Sequence, residues 1–512
     1  MTDRIPPVLR PEHPQARSLA GLVAEFDLPV TGSTDGVELT GVTLRSSEVQ
    51  PGDLYVGING KNSHGASYAK QAKDAGAVAV LTDAAGAELA KDAGLPILTV
   101  ASPREALGAI SAWVYRTSDR PPLLFGTTGT NGKTSTSYIL EAIMKQLGLV
   151  TGLSSTAERH IGEMSVVSRL TTPEASEMHA LLARMRESKV RAVAIEVSAQ
   201  ALTWNRVDGI VFDVVAFTNL SHDHLDDYSD MEEYFQSKLG LFDPERAKRG
   251  VVSLDSPWGQ RVVDAARIPV TTISATAGVP GEWTVELLEE RPEYTEFTLT
   301  GPEGRSLTTK VPIIGWHMAA NAGLAIVMLV EAGFELEAIG QALSDGIDAY
   351  LPGRTERVSG DRGPTVYVDF GHSPDAFLNT LAAVRNLTPG RTIMVFGADG
   401  DRDASKRHEM ARVAADGSDI LVITDHHPRF ENAQSIRSTL LEGAKLAAHQ
   451  PDTYEVSPPE AAIRKAVSLA KEGDSILWAG PGHQDYRDIE GVRTPYSARD
   501  EARAALREAG WA

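Results

Sequence analysis

Cysteine is absent from the 512 residues. Its absence removes thiol catalysis, disulfides and thiolate-held zinc from consideration. No apolar run approaches the length needed to cross a bilayer, so no membrane-spanning helix is expected. Basic residues are the minority, with 49 Lys and Arg against 69 Asp and Glu, a net charge of −20. Such a surface repels phosphate backbones and anionic lipid, so neither nucleic acid nor a membrane is expected as a partner. An anionic substrate would need a locally basic pocket. Residues 1–15 are rich in Pro and charge and lack the apolar stretch of a secretory signal, which places the expected location in the cytoplasm. What remains is an ordinary globular composition, long enough for three or four domains at about 150 residues each.

Three blocks are visible along the chain. Up to about residue 121, short apolar runs (Val78-Ala79-Val80-Leu81, Ile97-Leu98-Thr99-Val100) alternate with helical stretches such as 68–75. The second block, 122–350, opens on the strand signal Leu123-Leu124-Phe125, followed by a glycine-rich loop and a helix over 134–147. Strands are expected over 192–197 and 211–217, antiparallel structure over 283–312, and a helix over 318–332. The third block, 351–512, spaces strands at 365–369, 392–396, 419–424 and 475–478 with helical segments, the signature of a doubly wound parallel sheet. Each of these strands runs into a polar or glycine-rich loop. Ligands collect at the carboxyl ends of strands in such sheets, so four chemically loaded loops on one edge define a candidate site. The fold class is therefore α/β in three domains, with a phosphate-loop ATPase-like central sheet and a Rossmann-like sheet at the end.

The glycine-rich loop reads Gly126-Thr127-Thr128-Gly129-Thr130-Asn131-Gly132-Lys133-Thr134-Ser135. Glycines let backbone N–H groups turn toward phosphate oxygens, and the following helix adds its positive end. Lys133 then reaches the outer phosphates and Thr134 holds Mg²⁺. Thr127 occupies the first Gly position of the general phosphate-loop spacing. Glu196 closes a strand candidate, and its hard carboxylate oxygens suit Mg²⁺.

The string Thr128-Gly-Thr-Asn-Gly-Lys-Thr134 resembles the loop of the Mur ligases and folylpolyglutamate synthases, and the likeness to the Mur ligase family extends over nearly the whole chain. The resemblance implies an ATP-dependent ligase of bacterial cell-wall synthesis, in which a carboxylate is activated as an acyl phosphate and then attacked by an amine. It implies ATP contacts from Gly129, Thr130, Asn131, Gly132, Lys133, Thr134 and Ser135, and from Asn321, Arg354 and Asp369. Thr218-Asn219-Leu220-Ser221-His222-Asp223-His224-Leu225-Asp226 is similar to the segment whose histidine, here His224, binds a second Mg²⁺. Tyr234-Phe-Gln-Ser-Lys-Leu-Gly-Leu-Phe242 is similar to the segment whose lysine, here Lys238, is N6-carboxylated into a metal ligand. Catalysis is thus assigned to Lys133, Glu196, His224 and Lys238, and metal ligation to Thr134, Glu196, His224 and carboxylated Lys238.

For the UDP-linked muramoyl peptide the resemblance implies contacts from Leu44 and Ser46, His64-Gly65-Ala66, Thr171-Thr172, Ser198 and Arg206. Arg45 and Ser47 depart from the family's pattern, as do Ala199, Gln200 and Met318. The set T-T-P, G-D-R-D and D-x-x-P-R resembles the branch that adds the third peptide residue to the D-Glu carboxylate of the UDP-muramoyl dipeptide. It assigns the free diamino acid to Arg402, Asp425, His427, Arg429, Gly482 and Gln484. Gln484 stands where a diaminopimelate-adding enzyme has Glu, and His427 where it has Asn. Gln lacks the charge that would meet the distal ammonium, which favours lysine, ornithine or diaminobutyrate over diaminopimelate. The expected enzyme works as a monomer. Two alternatives are open. A folylpolyglutamate synthase is disfavoured by the block preceding the phosphate loop. A non-catalytic nucleotide-binding regulator is disfavoured because Lys133, Thr134, Glu196, His224 and Lys238 are all retained.

Overall fold

The computed structural model describes residues 8–60, 62–119, 121–223 and 225–511. The protein is built on three large sheets met in chain order. The first has five strands in the order Val30–Thr31, Ile97–Thr99, Ala79–Thr82, Asp53–Gly57, Gly41–Thr43, parallel except at the first pair. The stretch expected to be one helix near 68–75 is a 3₁₀ turn, Gly65–Tyr68, running into the short α-helix Ala69–Asp74. Helix Pro103–Tyr115 starts with Ser102 as cap and Pro at its first position. Its Leu107, Ile110 and Val114 share a core with Ala175, Ala180 and Ala183 of helix Ala175–Glu187, which joins the first sheet to the second.

The second sheet has eleven strands. Its parallel centre places Leu123–Thr128, the strand that feeds the phosphate loop, between Ala192–Glu196 and Phe212–Phe217. The alternating stretch near 283–312 is the three antiparallel strands Trp283–Arg291, Tyr294–Thr300 and Ser306–Val311. Helix Trp316–Glu331 is apolar around nearly its whole circumference. Such a helix has to be buried on every side. It lies between helix Lys133–Gln146 and the sheet, with Ala322, Ala325, Ile326 and Leu329 inaccessible.

The third sheet runs Glu356–Arg357, Thr365–Asp369, Ser475–Ala479, Thr392–Phe396, Ile420–Ile423, Asp452–Glu455, all parallel except the first. Val395 and Met394 are both fully buried, as continuous apolar strands must be when helices cover both faces. One face packs Phe377, Met410 and Leu440, the other Ile463, Ala502 and Leu506. This is the doubly wound arrangement. No helix among the described residues is long and apolar enough to cross a membrane.

Candidate active site

The phosphate loop leaves its strand at Thr128 and enters helix Lys133–Gln146. Gly129 and Gly132 have positive φ values of 147° and 87°. A Cβ on Gly129 would lie 1.9 Å from Thr218 Oγ1, and one on Gly132 would lie 2.7 Å from Asn321 Oδ1. Glycine is therefore demanded by both conformation and space. Thr218 and Asn219 clamp the loop from the neighbouring strand end. Thr218 Oγ1 donates to the carbonyl of Asn131 (2.6 Å), Asn219 Nδ2 donates to the same carbonyl (3.1 Å), and Asn219 Oδ1 accepts from the Asn131 N–H (3.0 Å). The sequence signal for this clamp was the T-N-L string, read there only as the approach to a histidine.

Lys133 Nζ folds back on the loop and donates to the carbonyls of Gly129 and Thr130, each at 2.9 Å. Burial and the nearby Arg354 cation lower its pKa, against the pull of Glu196 and Asp223. Arg354 donates to Thr134 Oγ1 at 2.8 Å, so the third domain reaches the phosphate loop directly. Asn131 makes a second reach, donating to Asp375 Oδ2 at 3.1 Å, and Lys406 pairs with Asp223 at 2.7 Å. Asp369 holds this edge in shape. Its Oδ1 accepts from the Thr355 N–H (2.8 Å), and Oδ2 accepts from the Gly371 N–H (2.7 Å).

Glu196 is fully buried at the end of its strand. Its two oxygens accept from the N–H (2.8 Å) and hydroxyl (3.0 Å) of Thr156, a residue the sequence reading did not single out. The Thr156 and Thr171 hydroxyls are also hydrogen-bonded to each other (3.0 Å), and Thr172 Oγ1 donates to the carbonyl of Glu196 (2.7 Å). Thr172 Oγ1 accepts in turn from the N–H of Ser198 (3.1 Å). Thr171, Thr172, Glu196 and Ser198 are thus one hydrogen-bonded unit. Arg206 lies beside it, paired with Glu174 at 3.2 Å and stacked over Trp204.

Lys238 lies on helix Met231–Leu239, whose start is capped by Asp230 accepting from the Glu233 N–H at 2.8 Å. Its amine is buried, donates to the Gly129 carbonyl at 2.9 Å and sits over the Tyr234 ring. Burial, reinforced by the like charge of Lys133, holds its pKa well below that of an ordinary lysine. A neutral amine is the form that adds carbon dioxide. The product would be a carboxylate one loop away from Thr134 and Glu196, an oxygen set that fits Mg²⁺. His224 lies outside the described residues.

Lys133, Thr134, Thr156, Thr171, Glu196, Ser198 and Arg206 line one cavity of about 670 Å³, together with Asn321, Ser135 and the strand-end loops of the third sheet, while Thr172 and Lys238 lie behind the lining. The cavity lining carries the cations Lys133, Arg206, Arg354, Arg402, Lys406, Arg407 and Arg429 beside nine carboxylates, so the expected locally basic pocket is instead one of mixed charge, in which individual cations are available to an anionic substrate. Leu44, Ser46, His64, Gly65 and Ala66 are not in its lining and belong to the first domain. His64 caps the 3₁₀ turn through Nδ1 and meets Asp83 through Nε2 at 3.2 Å. An ion pair from Arg169 to Glu48, 2.7 Å, ties the segment before Thr171 to the turn that starts at Ser46.

Among the residues assigned to the amino acid, Arg402, Arg429 and Gln484 line the cavity. Asp425 is corrected. It pairs with Arg437 and accepts from Ser457 Oγ at 2.5 Å, so it fastens its loop and does not line the cavity; His426 does instead. His427 is buried behind the lining and works through Gln484 (2.9 Å). Gly482 is also behind the lining. A Cβ there would lie 2.6 Å from that of Phe370, so close packing is what requires the glycine. Asp399 and His426 were missed, because only folding brings their two loops together.

A phosphate loop, a buried acidic strand end beside it and a third domain reaching over both define a multidomain nucleotide-dependent enzyme. Profiles of the Mur ligase family match residues 38–115 (catalytic domain), 127–329 (middle domain) and 353–482 (glutamate ligase domain). The UDP-N-acetylmuramyl-tripeptide synthetase of Leifsonia xyli is 63% identical over 100% of both chains. The UDP-N-acetylmuramoyl-L-alanyl-D-glutamate–2,6-diaminopimelate ligase of Streptomyces avermitilis is 41% identical over 98% of each. In fold, the chain matches a solved 2,6-diaminopimelate ligase of the same name with a TM-score of 0.65 at 24% identity, covering 97% of this chain and 100% of that one. It matches the Thermotoga maritima MurF ligase, solved with ADP, with a TM-score of 0.62 at 16% identity over 91% and 97%. The chain belongs to the Mur ligase family, whose members are amide-forming ligases.

Proposed function

We propose that this ligase uses ATP to join a diamino acid to the D-Glu carboxylate of a UDP-muramoyl dipeptide, supplying the third residue of the peptidoglycan stem. The observation that carries the reading is convergence. Lys133 and Thr134, the Glu196–Thr156–Thr171 unit and the loops bearing Arg429 and Gln484 all face one cavity. The names of relatives at 63% and 41% identity support it.

The division of labour follows the three sheets. Residues 1–121 hold the UDP end, 122–350 hold ATP, and 351–512 hold the incoming amino acid. The backbone amides of 129–135 cradle phosphate, and Lys133 moves from its own loop carbonyls to the outer phosphates. Thr134, Glu196, His224 and Lys238, the last as N6-carboxylysine, are the groups that would hold Mg²⁺, which when bound neutralises charge on the transferring phosphoryl group. Arg206 and Ser198 orient the peptide acid toward that phosphoryl group. The peptide carboxylate takes the terminal phosphoryl group of ATP as ADP leaves, and the acyl phosphate so formed is attacked by the amine of the diamino acid, with phosphate leaving and a proton lost from the amine. Arg354 on Thr134 and Asn131 on Asp375 keep the third domain closed over the intermediate, which bulk water would hydrolyse.

The test supplies ATP, UDP-muramoyl dipeptide and a panel of diaminopimelate, lysine, ornithine and diaminobutyrate, and follows ADP. Release that requires the dipeptide together with a diamino acid is expected. ADP formed with a folate and glutamate, but not with the dipeptide, would replace this reading with the folylpolyglutamate one. No ADP with any acceptor would remove it.

A further inference from the structure

The three-residue group Asp399, His426 and His427 brings its side-chain ligand atoms within 4.8 Å of one another, with Asp399 and His426 in the cavity lining and His427 behind it. His427 is already committed. Its Nδ1 accepts from the N–H of Asp488 (3.0 Å), which puts the ring proton on Nε2, and Nε2 donates to Gln484 Oε1 (2.9 Å). With neither nitrogen left to ligate, the group does not make a metal centre. His426 is kept neutral, its pKa held at about 3 by burial and by His427 beside it. It therefore keeps one acceptor nitrogen, and Nε2 stands 3.5 Å from Asp399 Oδ1.

Asp399 is the charged member. Burial opposes its ionisation, and the charge of Arg429 beside it favours it. Its Oδ2 meets Arg429 at 3.3 Å, whereas the buried Oδ1 has no hydrogen-bond partner among the described residues. Its backbone is fixed by the buried Arg407, which donates to the Asp399 carbonyl at 2.8 Å while paired with Glu431. A rigid, ionised carboxylate with one open oxygen is costly unless a ligand completes it. The free acceptors are Asp399 Oδ1, the second lone pair of Gln484 Oε1 and the His426 nitrogen. Three acceptors on neighbouring loops, with Gln484 held to the group through His427, are what the three N–H groups of an alkylammonium require.

We infer that Asp399 is the specificity-determining residue that receives the side-chain ammonium of the incoming diamino acid, with Gln484 and His426 completing its coordination. This rests on the ligase reading above and deepens it. Asp399 supplies the charge that Gln484 lacks, so discrimination between an amine-bearing side chain and an apolar one lies in the loop after Thr392–Phe396, not at position 484.

The experiment compares kcat/KM for the best diamino acid with that for an isostere carrying methyl in place of the side-chain amine, in wild type and in Asp399→Asn. Wild type is expected to prefer the amine. Asp399→Asn is expected to raise KM for the diamino acid by about 10- to 100-fold, with KM for ATP and for the dipeptide unchanged and the preference over the isostere lost. Adding Gln484→Glu to Asp399→Asn is expected to restore part of that preference. If Asp399→Asn loses its cooperative melting transition, Asp399→Glu, which keeps the charge but displaces it, gives the same split with a smaller loss. Undiminished preference in an active, folded variant would overturn the assignment and leave the ligase reading intact. Stoichiometric Zn²⁺ binding lost in Asp399→Asn and in His427→Ala would overturn it in favour of a metal centre. A wild type silent with every acceptor would instead bring down the ligase reading.

Discussion

Replacing Lys238 with alanine is expected to lower ATP-dependent ligation by about a hundredfold or more, the size of effect seen when a preorganised charge partner of the transition state is deleted. Three features of the site motivate this. The amine is buried, it is pushed well below its ordinary pKa by desolvation and by Lys133, and it touches the carbonyl of Gly129 inside the phosphate loop. A cation there would repel Lys133. A carbamate would add a negative oxygen ligand instead. Lys238→Ala leaves a space into which acetate or formate can diffuse, so these acids are expected to restore part of the activity, with saturation. Steady-state ADP release with and without added acid measures this. Full activity in the unrescued variant would contradict the role of Lys238.

Lys133→Ala is expected to be the more complete loss, about a hundredfold to a thousandfold in kcat. Lys133 is the cation whose donors lie at the loop, 2.9 Å from the carbonyls of Gly129 and Thr130, ready to turn toward phosphate. Lys133→Arg is expected to fail as well. A guanidinium is larger and planar, and the pocket is closed by Arg354 on Thr134. Titrating a fluorescent ATP analogue separates binding from chemistry. Weakened binding together with lost turnover fits a phosphate role, whereas unchanged turnover would contradict it.

Much of this site is written in short strings. The strands Thr365–Asp369 and Thr392–Phe396 fall where apolar runs bounded by turn residues place them. The phosphate loop is legible because positive φ values and close neighbours leave only glycine at 129 and 132. Less legible is anything that depends on which way a loop residue points. Asp425 and His426 are adjacent, and no periodicity in an irregular loop decides which faces the cavity; the Arg437 and Ser457 partners of Asp425 decide it. Thr156 and Asp399 were silent for another reason. Each acquires meaning only from a partner far along the chain, Glu196 for one and His426 with Arg429 for the other. Strands such as Glu158–Ile161 and Met164–Val167, on the sheet's edge, are short and mixed in polarity and gave no pattern.

The central claim is that phosphate leaves on an oxygen that began in the peptide acid. The direct measurement is to label the D-Glu carboxylate with ¹⁸O, run the reaction to completion with ATP and the diamino acid, and weigh the inorganic phosphate. One labelled oxygen in each phosphate released is the expected result. Unlabelled phosphate, with the heavy oxygens retained in the peptide or lost to water, would contradict the account.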